Sequence, residues 1–276
     1  MNAVDSLPSM PELTAFDAVT QLVAAAVYLA IGAAGLAQAP RDERTRVFCA
    51  LGVAHAIAFS IPAAGWLLGV QDPQALNRVP LGIMLAALSV GALLMFHFSQ
   101  VFPRRRPWIR TSGLQLPIAY AVMTPAVFLL VRWWPVTRAE ITAKFGLAFL
   151  LFGFPLLVLL GLVLPVASIV SFLRSLREQP PANPVQGPVA PVDATPRSDA
   201  RPTIFGILVS QLAGGVLGLL VLGPLTAVAP DSLAVLLVAV TVWLLGLLTP
   251  VAFAAGVWKY RVLEIPIEPS AEVQAD

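Results

Sequence analysis

Residues 144–173 read KFGLAFLLFGFPLLVLLGLVLPVASIVSFL, and after Lys144 no ionisable side chain occurs for 29 positions. At 1.5 Å of rise per residue, such a helix is longer than the roughly 30 Å hydrocarbon core of a bilayer. Pro155 and Pro165 interrupt the run. Each removes an amide donor and crowds the preceding turn, so the stretch reads as a tilted or kinked membrane span.

Six further apolar segments flank it. Toward the N-terminus they cover residues 19–39, 47–70, 80–102 and 113–130; toward the C-terminus, residues 203–229 and 232–260. The first is alanine-rich, with Gln21 and Tyr28 as its polar marks, and the second carries His55, Pro62 and Trp66. The fourth closes on Arg132, Trp133 and Trp134, amphipathic rings suited to the headgroup level. The expected fold is an all-α, polytopic bundle of seven transmembrane helices.

The domain organisation follows. Residues 1–18 form an acidic extension without a basic residue, which is not the n-region of a cleaved signal peptide, so the first span is expected to be retained. Residues 19–173 make a five-span membrane region, 174–202 a proline-rich loop, 203–260 a two-span hairpin and 261–276 a polar tail. The loop holds seven prolines and almost no large hydrophobe, a composition for extended chain.

Composition supports the same class. Of 276 residues, 58% are hydrophobic and 12% charged, against about 25% charged in a soluble domain. Of the 17 basic residues, 13 fall on the odd-numbered connections and the C-terminal tail, among them Arg41, Arg44, Arg46, Arg104, Arg174 and Lys259; four fall on the other side. Basic residues are retained in the cytoplasm, so the N-terminus is expected outside and the C-terminus inside. Arginines gathered at span ends build no stacking platform or folded basic surface, and nucleic acid is excluded as a partner.

Chemistry-bearing residues are sparse. His55 and His97 are the only histidines and both lie within spans. Helical rise puts His55 about 12 Å in from residue 47 and His97 about 9 Å from residue 103, depths at which the two rings could meet. Intramembrane ionisable groups mark candidate sites, and Ser99 and Gln100 extend this polar patch. Metal or haem ligation by the histidine pair is one alternative; neutral, hydrogen-bonded packing residues are the favoured one. No span holds a carboxylate for a proton relay, and no CxxC or HExxH occurs. No metal, cofactor or catalytic residue is therefore assigned. Gln21 and Gln211 read as interhelical hydrogen-bonding residues. Gly214 and Gly218 form a small-xxx-small pair for helix packing, with a homo-oligomer contact as the alternative. Arg104, Arg105, Arg106 and Arg110, with Lys259, Tyr260 and Arg261, are candidates for contact with anionic lipid or a cytoplasmic partner.

Two stretches carry a resemblance. HFSQVFPRRRPW, from His97 to Trp108, resembles the HF…VFP helix end in multi-span input modules of bacterial sensor histidine kinases. AAGVWKYRVLEIPIE, from Ala254 to Glu268, resembles the exit sequence after the last helix of those modules. The resemblance implies a bacterial inner-membrane protein of sensory or regulatory function, signalling to a cytoplasmic or membrane partner. Only eight residues follow Glu268, so the expectation is an input module without the kinase domains. Transport is the alternative class, with glycine- and proline-interrupted spans around a midplane site near Gln211 and Thr249.

The charge distribution makes a direct prediction. A fluorescent protein inserted near residue 190 or fused at the C-terminus lights up, and alkaline phosphatase inserted near residue 75 is active. The reverse pattern contradicts the seven-span reading.

Overall fold

The computed structural model describes residues 15–68, 78–104, 162–178, 199–228, 233–259 and 261–264. Among these residues there are helices and turns and no strand. In chain order they are α1 (Ala15–Gln38), α2 (Glu43–Leu67), α3 (Arg78–Val101), α4 (Leu164–Glu178) and α5 (Arg201–Val216). A π-helical turn (Leu217–Leu222), α6 (Gly223–Val228), α7 (Leu233–Trp258) and a 3-10 turn (Val262–Glu264) follow. Four stretches are long and apolar enough to cross a bilayer: Ala18–Gln38, Glu43–Gly65, Arg201–Leu222 and Leu237–Trp258. Ala86–Val101 is a shorter apolar helix. By length and composition the chain is a membrane protein. Its outward faces agree, with Leu22, Val23, Phe205, Leu212, Leu244 and Val251 exposed.

Three boundaries differ from the sequence reading by four residues or more; the first is α1, which starts at Ala15, inside the expected extension. Helix α2 starts at Glu43 and not at residue 47, because Asp42 caps it: its Oδ1 accepts the Arg44 amide at 2.8 Å. Helix α4 continues to Glu178, into the stretch assigned to the proline-rich loop, because Ser168, Ser171, Phe172 and Ser175 keep one face buried. The expected span 113–130, residues 145–161, loop residues 179–198, and Arg105, Arg106, Arg110 and Tyr260 lie outside the described residues.

Proline placement explains two local irregularities. π-Helical turns occur at residues 162–163 and at Leu217–Leu222, shortly before Pro165 and Pro224. A proline has no amide to complete an α-turn, and a widened turn relieves the clash of its ring with the preceding carbonyl.

Helices α1, α2, α3, α4, α5 and α7 each pack on the next, and α7 returns to α1, closing a ring. Close approach depends on glycine at two crossings. A Cβ at Gly52 would lie 2.7 Å from the Tyr28 carbonyl oxygen, and one at Gly256 would lie 2.9 Å from Thr203 Cγ2. These contacts bring α2 against α1 and α5 against α7, small-residue packing of the kind membrane helices use without a hydrophobic driving force.

At one end of the ring a phenylalanine cluster fills the centre. Phe48 from α2, Phe98 from α3, Phe102 just beyond it, Phe172 from α4 and Phe253 from α7 are all fully buried. Phe48 and Phe253 stack at 3.9 Å between centroids, and Phe98 meets Phe253 edge-on at 5.6 Å. Such ring pairs contribute about 0.5–1.5 kcal/mol each beyond their burial. Nine of the ten basic residues in the described segments gather at this same end, and only Arg78 lies at the other.

Gly256→Val drives a branched side chain into Thr203, and overpacking of this kind costs about 1–3 kcal/mol. The expected result is a lower unfolding temperature in detergent, with Gly215→Ala, at a position with open space, unchanged. Equal unfolding temperatures for both variants would contradict the α5–α7 crossing.

Candidate functional site at the helix exits

The Phe cluster is capped by one buried cation. Arg44 is 1% exposed, in the first turn of α2. Its Nη1 donates to the Pro103 carbonyl at 2.8 Å and to the Val262 carbonyl at 3.1 Å. Its Nη2 donates to the Leu263 carbonyl at 3.0 Å and to Asp42 Oδ2 at 2.7 Å. Nε reaches Asp42 Oδ1 at 3.1 Å. One guanidinium thus joins the α1–α2 turn, the end of α3 and the segment after α7. The planar fork with five donors suits this task, since a lysine's ammonium has three donors and no fixed geometry.

Local sequence builds the joint. Asp42 caps α2 through the Arg44 amide and holds the Arg44 side chain with the same carboxylate. Thr45 Oγ1 lies 2.6 Å from the Ala39 carbonyl and 2.9 Å from that of Asp42, which closes the turn behind them. On the α3 side the Phe102–Pro103 peptide is cis. On the α7 side Arg261 adopts φ 51°, a left-handed turn that reverses the chain after the helix. Val262 is then fully buried in the core cluster, and its carbonyl faces Arg44.

Beside the joint, His97 Nε2 lies 3.4 Å from Glu43 Oε1, tying α3 to the first turn of α2. Ser99 donates to the Phe96 carbonyl at 2.7 Å and accepts from Gln100 Nε2 at 3.0 Å. Ser171 on α4 donates to the Ser99 carbonyl at 2.8 Å. The Ser171–Ser99 bond therefore ties α4 to α3 beside the histidine.

The two histidines do not meet. His97 is level with Glu43, whereas His55 lies about 18 Å further along α2 by helical rise. There its ring stacks on Tyr28 at 4.7 Å and contacts Phe59 at 5.7 Å, and Nδ1 donates to the Leu51 carbonyl at 3.0 Å. Gly91 of α3 leaves the room: a Cβ there would lie 3.3 Å from His55 Cε1. The expected contact fails because α2 begins four residues earlier than read, which shifts its register against α3. Among the described residues no three His, Cys, Asp or Glu side chains gather as metal ligands.

A second polar layer sits around His55, and its cause is Pro250. Proline has no amide, so the Gly246 carbonyl, four residues earlier, loses its helical donor. The Tyr28 hydroxyl of α1 donates to that carbonyl at 3.2 Å. Ser210 of α5 donates to the neighbouring Leu245 carbonyl at 2.6 Å, and Thr249 donates to Ser210 at 2.8 Å. Thr249 is thus a structural member of this layer. The amide oxygens of Gln21 and Gln211 are buried and find no hydrogen-bond partner among the described residues. Gly214 and Gly218 pack against Leu245 and Val242 of α7, so this pair is used within the chain. Arg104 and Lys259 are exposed at the basic end.

Compared with protein-family models, with curated proteins and with solved structures, the chain matches none.

The sequence reading treated Arg44 only as one of a basic trio and did not single out Asp42. The available signal was Asp-x-Arg at a helix start, where the aspartate caps and the arginine follows two residues later in the first turn. Removing one partner of a buried charged pair costs about 3–5 kcal/mol. Arg44→Ala is expected to lower stability by that amount, and Arg44→Lys by less. The exposed Arg46→Ala is expected to fall within about 0.5 kcal/mol of the parent. Thermal unfolding in detergent checks this; equal unfolding for Arg44→Ala and Arg46→Ala would contradict it.

Proposed function

We propose that this chain is a non-catalytic sensory or regulatory module of a bacterial inner membrane. It crosses the bilayer seven times, with the N-terminus outside and the C-terminus in the cytoplasm. It passes changes in helix packing to a cytoplasmic or membrane-bound signalling partner through the segment after α7. The observation that carries this reading is the Arg44 joint. The two stretches that resemble sensor-kinase input modules are remote in sequence, and Arg44 bonds to a carbonyl of the first and two of the second.

The physical route runs along α7. This helix holds the Tyr28 and Ser210 bonds at Gly246 and Leu245, Phe253 in the aromatic core, and the exit segment beyond Trp258. From Gly246 to Trp258 is about 18 Å of helix. A rotation or shift of α7 in the bilayer displaces Val262 and Leu263 from Arg44, and so redirects the chain that follows. A tightly packed core has discrete arrangements and does not deform continuously, which gives such a joint two positions.

The test is in-membrane cross-linking followed by purification in mild detergent. The expected result is recovery of a histidine kinase or another protein with signalling domains. That recovery is lost when residues 259–268 are scrambled, while insertion and unfolding temperature are kept. Recovery unaffected by the scramble, or of transport partners only, would overturn the proposal.

A further inference from the structure

We propose that α4 carries a binding site for an anionic phospholipid, with the headgroup phosphate held between Arg174 and Arg177. One acyl chain lies along Val163, Val166, Val170 and Leu173. The two faces of this helix have separate tasks. Ser168, Ser171, Phe172 and Ser175 are buried against the bundle, and Val163, Val166, Val170 and Leu173 are exposed at helical spacing on the other side. Arg174 and Arg177, one turn apart, are exposed at the end of that apolar strip.

Charge and length select the occupant. Among the described residues neither arginine makes an ion pair, in contrast to Arg44, which has Asp42. The only carboxylate on α4 is Glu178, at its last position. Arg104, also exposed, stands at the end of the neighbouring helix α3 and adds a third positive charge to this rim. From Val163 to Leu173 the strip measures about 15 Å, half the hydrocarbon thickness of a bilayer and the depth of one leaflet. A free anion would use the arginines but leave the strip without a role. An acidic soluble protein would likewise not reach along an apolar face that descends into the membrane. A lipid with a phosphate head and an acyl tail uses both.

The full-length protein is reconstituted in nanodiscs of equal parts phosphatidylcholine and phosphatidylglycerol, and the lipid retained after extraction is read by native mass spectrometry. Parent protein is expected to retain phosphatidylglycerol over phosphatidylcholine. Retention falls about fivefold for each of Arg174→Gln and Arg177→Gln, the effect expected of one basic side chain at an anionic surface. Arg174→Lys with Arg177→Lys keeps most of it, and added inorganic phosphate does not displace the lipid. Unchanged retention in the double Gln variant would overturn the site. So would an equal loss in Arg41→Gln with Arg46→Gln, since a diffuse rim field then suffices, or displacement by inorganic phosphate.

Discussion

The structure depends on a guanidinium taken out of water. Burying an arginine is costly unless its donors are all met, and a buried pair is no automatic gain in stability. Arg44 meets this condition with Asp42 and three backbone carbonyls from two remote segments. The consequence is conditional stability: displacing Pro103, Val262 or Leu263 removes acceptors from a buried charge. If either exit leaves, the cation loses the carbonyl acceptors that exit supplies.

The aromatic core beneath explains why the coupling is stiff. Phe98 and Phe102 lie on the α3 side of the joint, Phe253 on the α7 side, and Phe48 on α2 with Arg44 itself. A displacement of α7 at Phe253 is felt by rings on two other helices before it reaches Val262. Further into the bundle, Pro250 frees the Gly246 carbonyl that Tyr28 satisfies, and Ser210 bonds the neighbouring Leu245 carbonyl, so α1 and α5 are both bonded to α7 beside the break in its ladder. The layers are linked by one helix. That helix connects the polar layer, the aromatic core and the exit segment.

Much of the architecture was legible from the sequence, because hydropathy and the placement of arginines are local properties. The spans assigned to residues 19–39, 47–70, 203–229 and 232–260 correspond to α1, α2, α5 with its π turn, and α7. The helix of α4 beyond residue 173 was not legible, since its polar face reads as a loop until a neighbour is there to bury it. His55 and His97 both fall within helices, as expected, but their distance hinged on a register set by a capping aspartate. Arg44 was hidden by its neighbours: in RDERTR the one local mark that sets it apart from the two exposed arginines is its place two residues after Asp42. Its acceptors are carbonyls, which every residue has, so no side-chain pattern could announce them. Tyr28 was hidden for a related reason, its partner being a carbonyl freed by a proline more than two hundred residues away.

The most direct measurement is the distance between the two exits. Spin labels at Arg104→Cys and Glu264→Cys, in a Cys49→Ser background in liposomes, report it by pulsed electron resonance. A single narrow distribution is expected for the parent and for the Arg41→Ala control. With Arg44→Ala the distribution is expected to lengthen and broaden as the segment after α7 is released. An unchanged narrow distribution in Arg44→Ala would show that the exits are held by something else, and the account built on this joint would fall.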